Sequence, residues 1–221
     1  RIDISINEDL IEEIGRIYGL NNIEGKSPIL PIKAGSYNKQ IREIRNKMVS
    51  LGLNETLSYI LVNDKEAKNY TIDNTEIVSL LAPMTEERNT LRHSIIPSLY
   101  KIYEYNNARN NKDISIFEIG KSFAKIGEEY IEENKIACLM TGEFYLGVDN
   151  KKQVDFYIIK GITEELLDFI GYSGRYSFVT DREMPEQLHP GQSAAISVNN
   201  DIVGYIGRVH PSINKEAIYV L

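Results

Sequence analysis

The chain has 221 residues, enough for one large domain or two small ones. With 42% hydrophobic and 26% charged residues it has the make-up of an ordinary folded protein, which excludes a disordered tail. Lys and Arg total 25 against 32 Asp and Glu, a net charge of −7 that argues against a free-standing nucleic-acid binder. It leaves open an acidic component of a larger RNA-handling assembly.

No apolar run approaches the roughly 20 residues of a membrane helix, and no apolar signal segment opens the chain. The start at Arg1-Ile2-Asp3, with no initiator Met, points to a piece excised from a longer protein. Cys138 lies in the apolar run Ile136–Met140, so a buried strand thiol is expected rather than a nucleophile. Cytoplasmic localisation is the default.

Ile2, Ile4 and Ile6 alternate with polar residues, a strand pattern. Asn7 can cap a helix to about Tyr18, with Leu10, Ile14 and Ile17 on one face and Gly19 as its end. Gly25, Pro28, Pro31 and Gly35 mark a linker, and a domain boundary is expected near residue 25. Ser36 then opens a basic amphipathic helix with Ile41, Ile44, Met48 and Leu51 in register, closed by Gly52. Strands are predicted over 56–62 and 77–81, and a second helix, capped by Ser94, over about 94–109 with Pro97 in its first turn. Strands follow at 114–124 and 135–141, then a helix over about 155–170 that stops at Gly171. A hairpin of 194–198 with 202–209 turns at Asn199-Asn200-Asp201. Strands outnumber helices and are mostly joined as hairpins, so the fold class is α+β, an antiparallel sheet with helices packed on it.

Self-contained active-site motifs are missing. Gly120-Lys121-Ser122 lacks the glycine five positions earlier that a phosphate loop needs, since Ser115 stands there. Gly191-Gln192-Ser193-Ala194-Ala195 lacks the closing glycine of a nucleophile elbow. His93, His189 and His210 have no metal-ligand spacing.

Three constellations carry candidate chemistry. Asp9, Glu12 and Glu13 fall on one face of the first helix, and Asp3 could close over them, an oxygen set that suits magnesium. The bland account is that acids at a helix start face solvent, favoured by the dipole. Leu91–Arg109 carries Arg92, Lys101 and Arg109 with Tyr100, Tyr103 and Tyr105, a pattern that can bind RNA. Tyr100 and Tyr103 are expected instead on the sheet, with the charges solvated. The 36–51 helix feeds a strand containing Leu57 and Tyr59, an arrangement suited either to a subunit interface or to packing on its own sheet.

Six blocks in one order then resemble the bacterial phenylalanyl-tRNA synthetase β-subunit family. They are Asp3–Gly19, Glu86–Arg92 with Leu99 and Tyr105-Asn106, Phe117–Phe123, Asp155-Phe156-Tyr157 with Lys160-Gly161, Leu188–Ala194 and Gly204–Pro211. The resemblance implies residues 1–24 as the last strand and helix of a preceding domain. Residues 25–221 would be a catalytic-like class II synthetase module, truncated at its C-terminus. It further implies a non-catalytic core module of phenylalanine–tRNA ligase that supports assembly of the (αβ)₂ enzyme. The partner α subunit would bind ATP and attach phenylalanine to its tRNA. In the active half of that family a strand ends in an Arg that holds the ATP phosphate, whereas the similar stretch here, Gly120–Ala124, ends in alanine.

The family's magnesium spacing, Asp-x₅-Asp-x₂-Glu-Glu, matches Asp3, Asp9, Glu12 and Glu13, with the ion shared with the α subunit. By the same resemblance Ile41, Ile44, Met48, Leu51, Leu57 and Tyr59 are expected at the inter-subunit core. A vacant interface would then leave apolar surface on the 36–51 helix and promote self-association. Two alternatives stand beside this reading: a tRNA-contacting module using Arg92, Lys101 and Arg109, and a class II-like ATP-dependent ligase active alone.

Overall fold

The computed structural model describes all residues except Arg1, Ile2, Ile32, Ala34, Ser36, Asp73, Asn74 and Val148. The chain divides into two compact units, residues 1–37 and 38–221.

The first unit holds helix α1 (Asn7–Tyr18) followed by a 3₁₀ turn at Leu20–Asn22. The expected strand over 2–6 is not formed among its described residues 3–6, and Ile2 lies outside them. The reason is local: the Asp9 carboxylate reaches back and accepts the N–H groups of Ser5 (2.8 Å) and Ile6 (3.0 Å), so this backbone serves as the helix entry. Ile6 therefore occupies the cap position expected of Asn7. Gly19 ends the helix at φ +94° with its N–H on the Gly15 carbonyl, a conformation that favours glycine.

The second unit is built from helices α2 (Gln40–Ser50), α3 (Ile96–Asn107) and α4 (Phe156–Phe169) around a seven-stranded sheet. In chain order its strands are β1 (Asn54–Glu55), β2 (Leu61–Val62), β3 (Val78–Ser79), β4 (Thr90–Leu91), β5 (Ile114–Ile126) and β6 (Glu129–Thr141). Then come β7 (Glu143–Tyr145), β8 (Lys151–Gln153), β9 (Tyr176–Val179), β10 (Leu188–Val198), β11 (Asp201–Val209) and β12 (Tyr219–Val220). The large sheet runs β1-β5-β6-β12-β11-β10-β9, with β2-β4-β3 and β7-β8 as small separate sheets. Every pairing in the large sheet is antiparallel except β1 with β5. The expected all-antiparallel sheet is thus a mixed one, because the chain returns from β1 through the small sheet and α3 before laying β5 alongside.

Helix α2 begins at Gln40, whose N–H is accepted by Asn38 Oδ1 at 2.9 Å; the expected opener Ser36 lies outside the described residues. Asp155 caps α4 by accepting the Ile158 N–H at 2.9 Å. Strand β6 starts six residues before its predicted position, because its polar half, Glu129–Asn134, is held by hairpin pairing with β5 rather than by burial. The β10–β11 turn is made by Asn199 and Asn200, both at positive φ, where asparagine is tolerated. β12 escaped the sequence reading altogether, since two residues are too few to carry a period.

Alternation along the strands separates two core layers. Phe117, Cys138, Met140 and Tyr219 face α4 (Ile158, Ile159, Ile162, Leu166) and α2 (Met48). Ile114, Ile116, Ala137, Leu139 and Val220 face α3 (Leu99, Tyr103). Burial raises the Cys138 pKa, which keeps it a neutral core thiol, as its apolar run implies. Among the described residues no helix is long and apolar enough to cross a membrane.

Candidate functional site

Of the four acids expected to share an ion with the α subunit, Asp9 and Glu13 have partners within the first unit. Asp9 is engaged by the Ser5 and Ile6 N–H groups, which lower its pKa, and Glu13 pairs with Arg16 at 2.8 Å. Glu12 stays in solvent on the same helix. No group of three His, Cys, Asp or Glu side chains among the described residues could hold an ion.

The basic and aromatic segment also differs from its RNA-facing expectation. Arg92 is 2% exposed and ion-paired to Glu118 at 2.7 Å, which corrects its assignment as an RNA contact. Lys101 pairs with Glu66 at 2.5 Å. Arg109 lies 3.4 Å over the Tyr105 ring and donates to its own helix at the Tyr105 carbonyl. Tyr103 is buried against the sheet, as expected, and donates to Glu216 Oε2 at 2.6 Å; burial and that bond raise its pKa. Asn214 Nδ2 donates to the hydroxyls of both Tyr100 and Tyr103. The aromatics bind the helix to the sheet, and the cations already have partners.

The third constellation divides in two. On α2, Met48 is fully buried, and Ile44 and Leu51 pack half-buried against the same core, so these three are not exposed interface residues. Ile41 at the start of the helix remains exposed. The chain beyond β1 behaves oppositely: Leu57 is 85% and Tyr59 66% exposed, with Ile60 beside them. Of the expected strand over 56–62 only Leu61–Val62 (β2) is formed; β1 ends at Glu55, and the stretch between them is held from behind. Thr56 N–H donates to the Phe117 carbonyl at 2.8 Å, and Arg92 N–H donates to the Ile60 carbonyl at 3.1 Å. Between these bonds the Ser58 hydroxyl donates to Glu118 Oε2 (2.6 Å) and accepts from Arg92 Nη1 (2.7 Å).

Glu118, Ser58 and Gly120 were not among the predicted site residues. Gly120 is the readable signal, since a lone glycine inside a strand marks a close approach. A Cβ there would overlap Arg92 Nη2. Arg92 Nε also donates to the Lys121 carbonyl at 3.0 Å, so each of the three guanidinium nitrogens has a partner.

The sequence of residues 23–218 matches the family described as phenylalanyl tRNA synthetase beta chain CLM domain. The chain belongs to this family. It is 39% identical to the phenylalanine–tRNA ligase beta subunit of Bacillus licheniformis and 38% to that of Bacillus subtilis. Each match covers 98% of this chain and 28% of the relative, so the chain spans little more than a quarter of the length of these proteins. In fold it is similar to a pyrrolysyl tRNA synthetase of Desulfitobacterium hafniense, with a TM-score of 0.56 and 13% identity over 81% of this chain and 64% of that one. That likeness shows the fold alone, a class II synthetase-like sheet with flanking helices.

Proposed function

We propose that this chain is the non-catalytic core module of a phenylalanine–tRNA ligase β subunit, and that its work is assembly of the (αβ)₂ enzyme. The observation that carries the reading is the outward pair Leu57 and Tyr59, large apolar side chains on a backbone anchored from the inside. Exposed apolar groups on fixed backbone suit a partner surface, because little ordering entropy remains to be lost on binding. The partner is the α subunit, which binds ATP and joins phenylalanine to tRNA, in the cytoplasm. Residues 1–24 belong in this reading to the preceding domain of the longer protein.

Catalytic silence is supported by the strand that would face a nucleotide. Ala124 stands opposite Ile131 in the β5–β6 ladder and carries no charge for a phosphate, while Lys121 is paired with Glu132. A ligase active alone predicts phenylalanine-dependent pyrophosphate exchange by this chain, and silence predicts none. The tRNA-contacting alternative loses its strongest cation because Arg92 is internal.

Size-exclusion chromatography of the 221-residue chain with a bacterial phenylalanyl-tRNA synthetase α subunit tests the proposal. Co-elution in a complex is the expected result, with self-association of the chain alone suppressed on mixing. Separate elution at micromolar concentrations overturns it.

A further inference from the structure

We infer that Arg92 and Glu118 are positioning residues for the partner-facing β1–β2 connection, acting through the Ser58 hydroxyl to set which of its side chains point outward. The inference rests on the assembly reading above.

Ladder pairing of β1 with β5 covers only Asn54 with Ile116 and Glu55 with Phe117. Past the Thr56 bond to Phe117 the chain leaves the sheet, where an extended segment is free to slip. Thr56 and Ser58 are half-buried while Leu57 and Tyr59 are exposed, so a slip of one residue would turn Leu57 and Tyr59 inward and Ser58 outward. The Ser58 hydroxyl forbids this. It sits between two buried ionised groups, giving a hydrogen to one and taking a hydrogen from the other. In the slipped register a Leu or Tyr would confront those charges, leaving each short of a partner in a nearly water-free site.

A buried ion pair is a weak source of stability, because desolvation offsets its attraction, but it enforces geometry strongly. Arg92 is suited to that work. Its N–H holds Ile60, its carbonyl accepts the Phe123 N–H, and its guanidinium reaches Glu118, Ser58 and the Lys121 carbonyl. One residue thus joins the outgoing connection to β5 at several points. Arg88 lies 3.5 Å from the centre of the Tyr59 ring, so the exposed side chain is also braced.

The test uses Ser58→Ala, Ser58→Thr and a stability control, Leu167→Ala, whose side chain is buried under the far strands beside Ala194 and Ile206. Two measurements are made on the whole chain: hydrogen exchange of the Thr56 and Arg92 amides, and affinity for the α subunit by surface plasmon resonance. Ser58→Ala is expected to speed exchange of those amides and to weaken binding by about tenfold, the scale of a lost hydrogen bond to a charged group. Ser58→Thr, which keeps the hydroxyl, restores both. Leu167→Ala leaves binding within about twofold, because sites that share no partners act independently. Unchanged Thr56 and Arg92 exchange in Ser58→Ala overturns the inference, as does an equal loss of binding in Leu167→Ala. If the unmutated chain fails to bind the α subunit, the assembly reading falls by itself, and the exchange measurement still decides the register claim.

Discussion

Helix α2 and the β1–β2 connection that follows it carry apolar side chains of similar size and turn them in opposite directions. On α2 the stripe of Ile44, Met48 and Leu51 is drawn onto the protein's own core beside Phe117 and Ile159. On the connection, Leu57 and Tyr59 stay in solvent because Thr56 and Ser58 are fixed inward by hydrogen bonds. Periodicity marks the apolar set in both cases, but the inward partner decides its direction. For the helix that partner is an apolar layer, and for the connection it is a buried pair of charges.

The largest effect should come from breaking the polar partner. Glu118→Ala leaves the Arg92 guanidinium buried without its counter-charge, and removing one member of such a pair costs about 3–5 kcal/mol. Urea denaturation should show the loss directly, and a cost below about 1 kcal/mol would mean that water reaches the site. Gly120→Ala should act in the same direction, since its methyl group would occupy the space of Arg92 Nη2. On the helix side, Met48→Ala opens a cavity beneath α2 and is expected to cost about 2–4 kcal/mol in the same measurement.

The outward residues provide the contrast. Leu57→Ala and Tyr59→Ala should each change stability by no more than about 0.5 kcal/mol, because the side chains are exposed in the isolated chain. Binding of the α subunit should fall by about tenfold or more for the same substitutions, as truncation of an interface anchor does. If Met48→Ala weakens binding only in proportion to unfolding while Tyr59→Ala weakens it at full stability, the division between helix and connection is functional as well as structural.

How far the sequence revealed this division follows from the physics of each element. Helices α1, α3 and α4 were readable because a 3.6-residue period is a local signal, but their caps were each one residue off: Ile6 stands for Asn7, Ile95 for Ser94, and Asp155, read as the first residue of α4, is its cap. The class of the fold was readable from the hairpin count. β12 and the β7–β8 pair were not, because two or three residues gain their strand character only from neighbours. At the candidate site, Leu57 and Tyr59 are exposed, as a partner-facing role requires, whereas the role of Arg92 was misread. An arginine followed by tyrosines on a helix reads as basic surface, and the acid that neutralises it lies 26 positions away on another strand. On the acidic N-terminal face, spacing does not show that the Asp9 carboxylate also accepts the backbone N–H groups of the helix entry.

An exposed anchor defines the weak end of the same scale. Asp113, just ahead of β5, accepts the Glu143 N–H at 2.9 Å and pairs with Lys151 at 3.2 Å, joining the β7–β8 hairpin to the sheet corner. The Glu143 N–H first, and Lys151 second, hold its pKa below the ordinary carboxylate value. A depressed folded-state pKa contributes stability that is fully present above the unfolded-state value of about 4 and is lost as pH falls through the lower folded-state value. Solvent screens this contribution, so the effect should be the smallest of the set. Asp113→Asn keeps an oxygen for the Glu143 N–H but removes the charge. The urea midpoints of the two proteins should therefore differ slightly near pH 7 and converge as pH drops below about 4, with the variant losing less stability on the way. A gap that stays constant with pH would assign the anchoring to the hydrogen bond alone. Ionisation of Asp113 would then contribute nothing at this exposed corner.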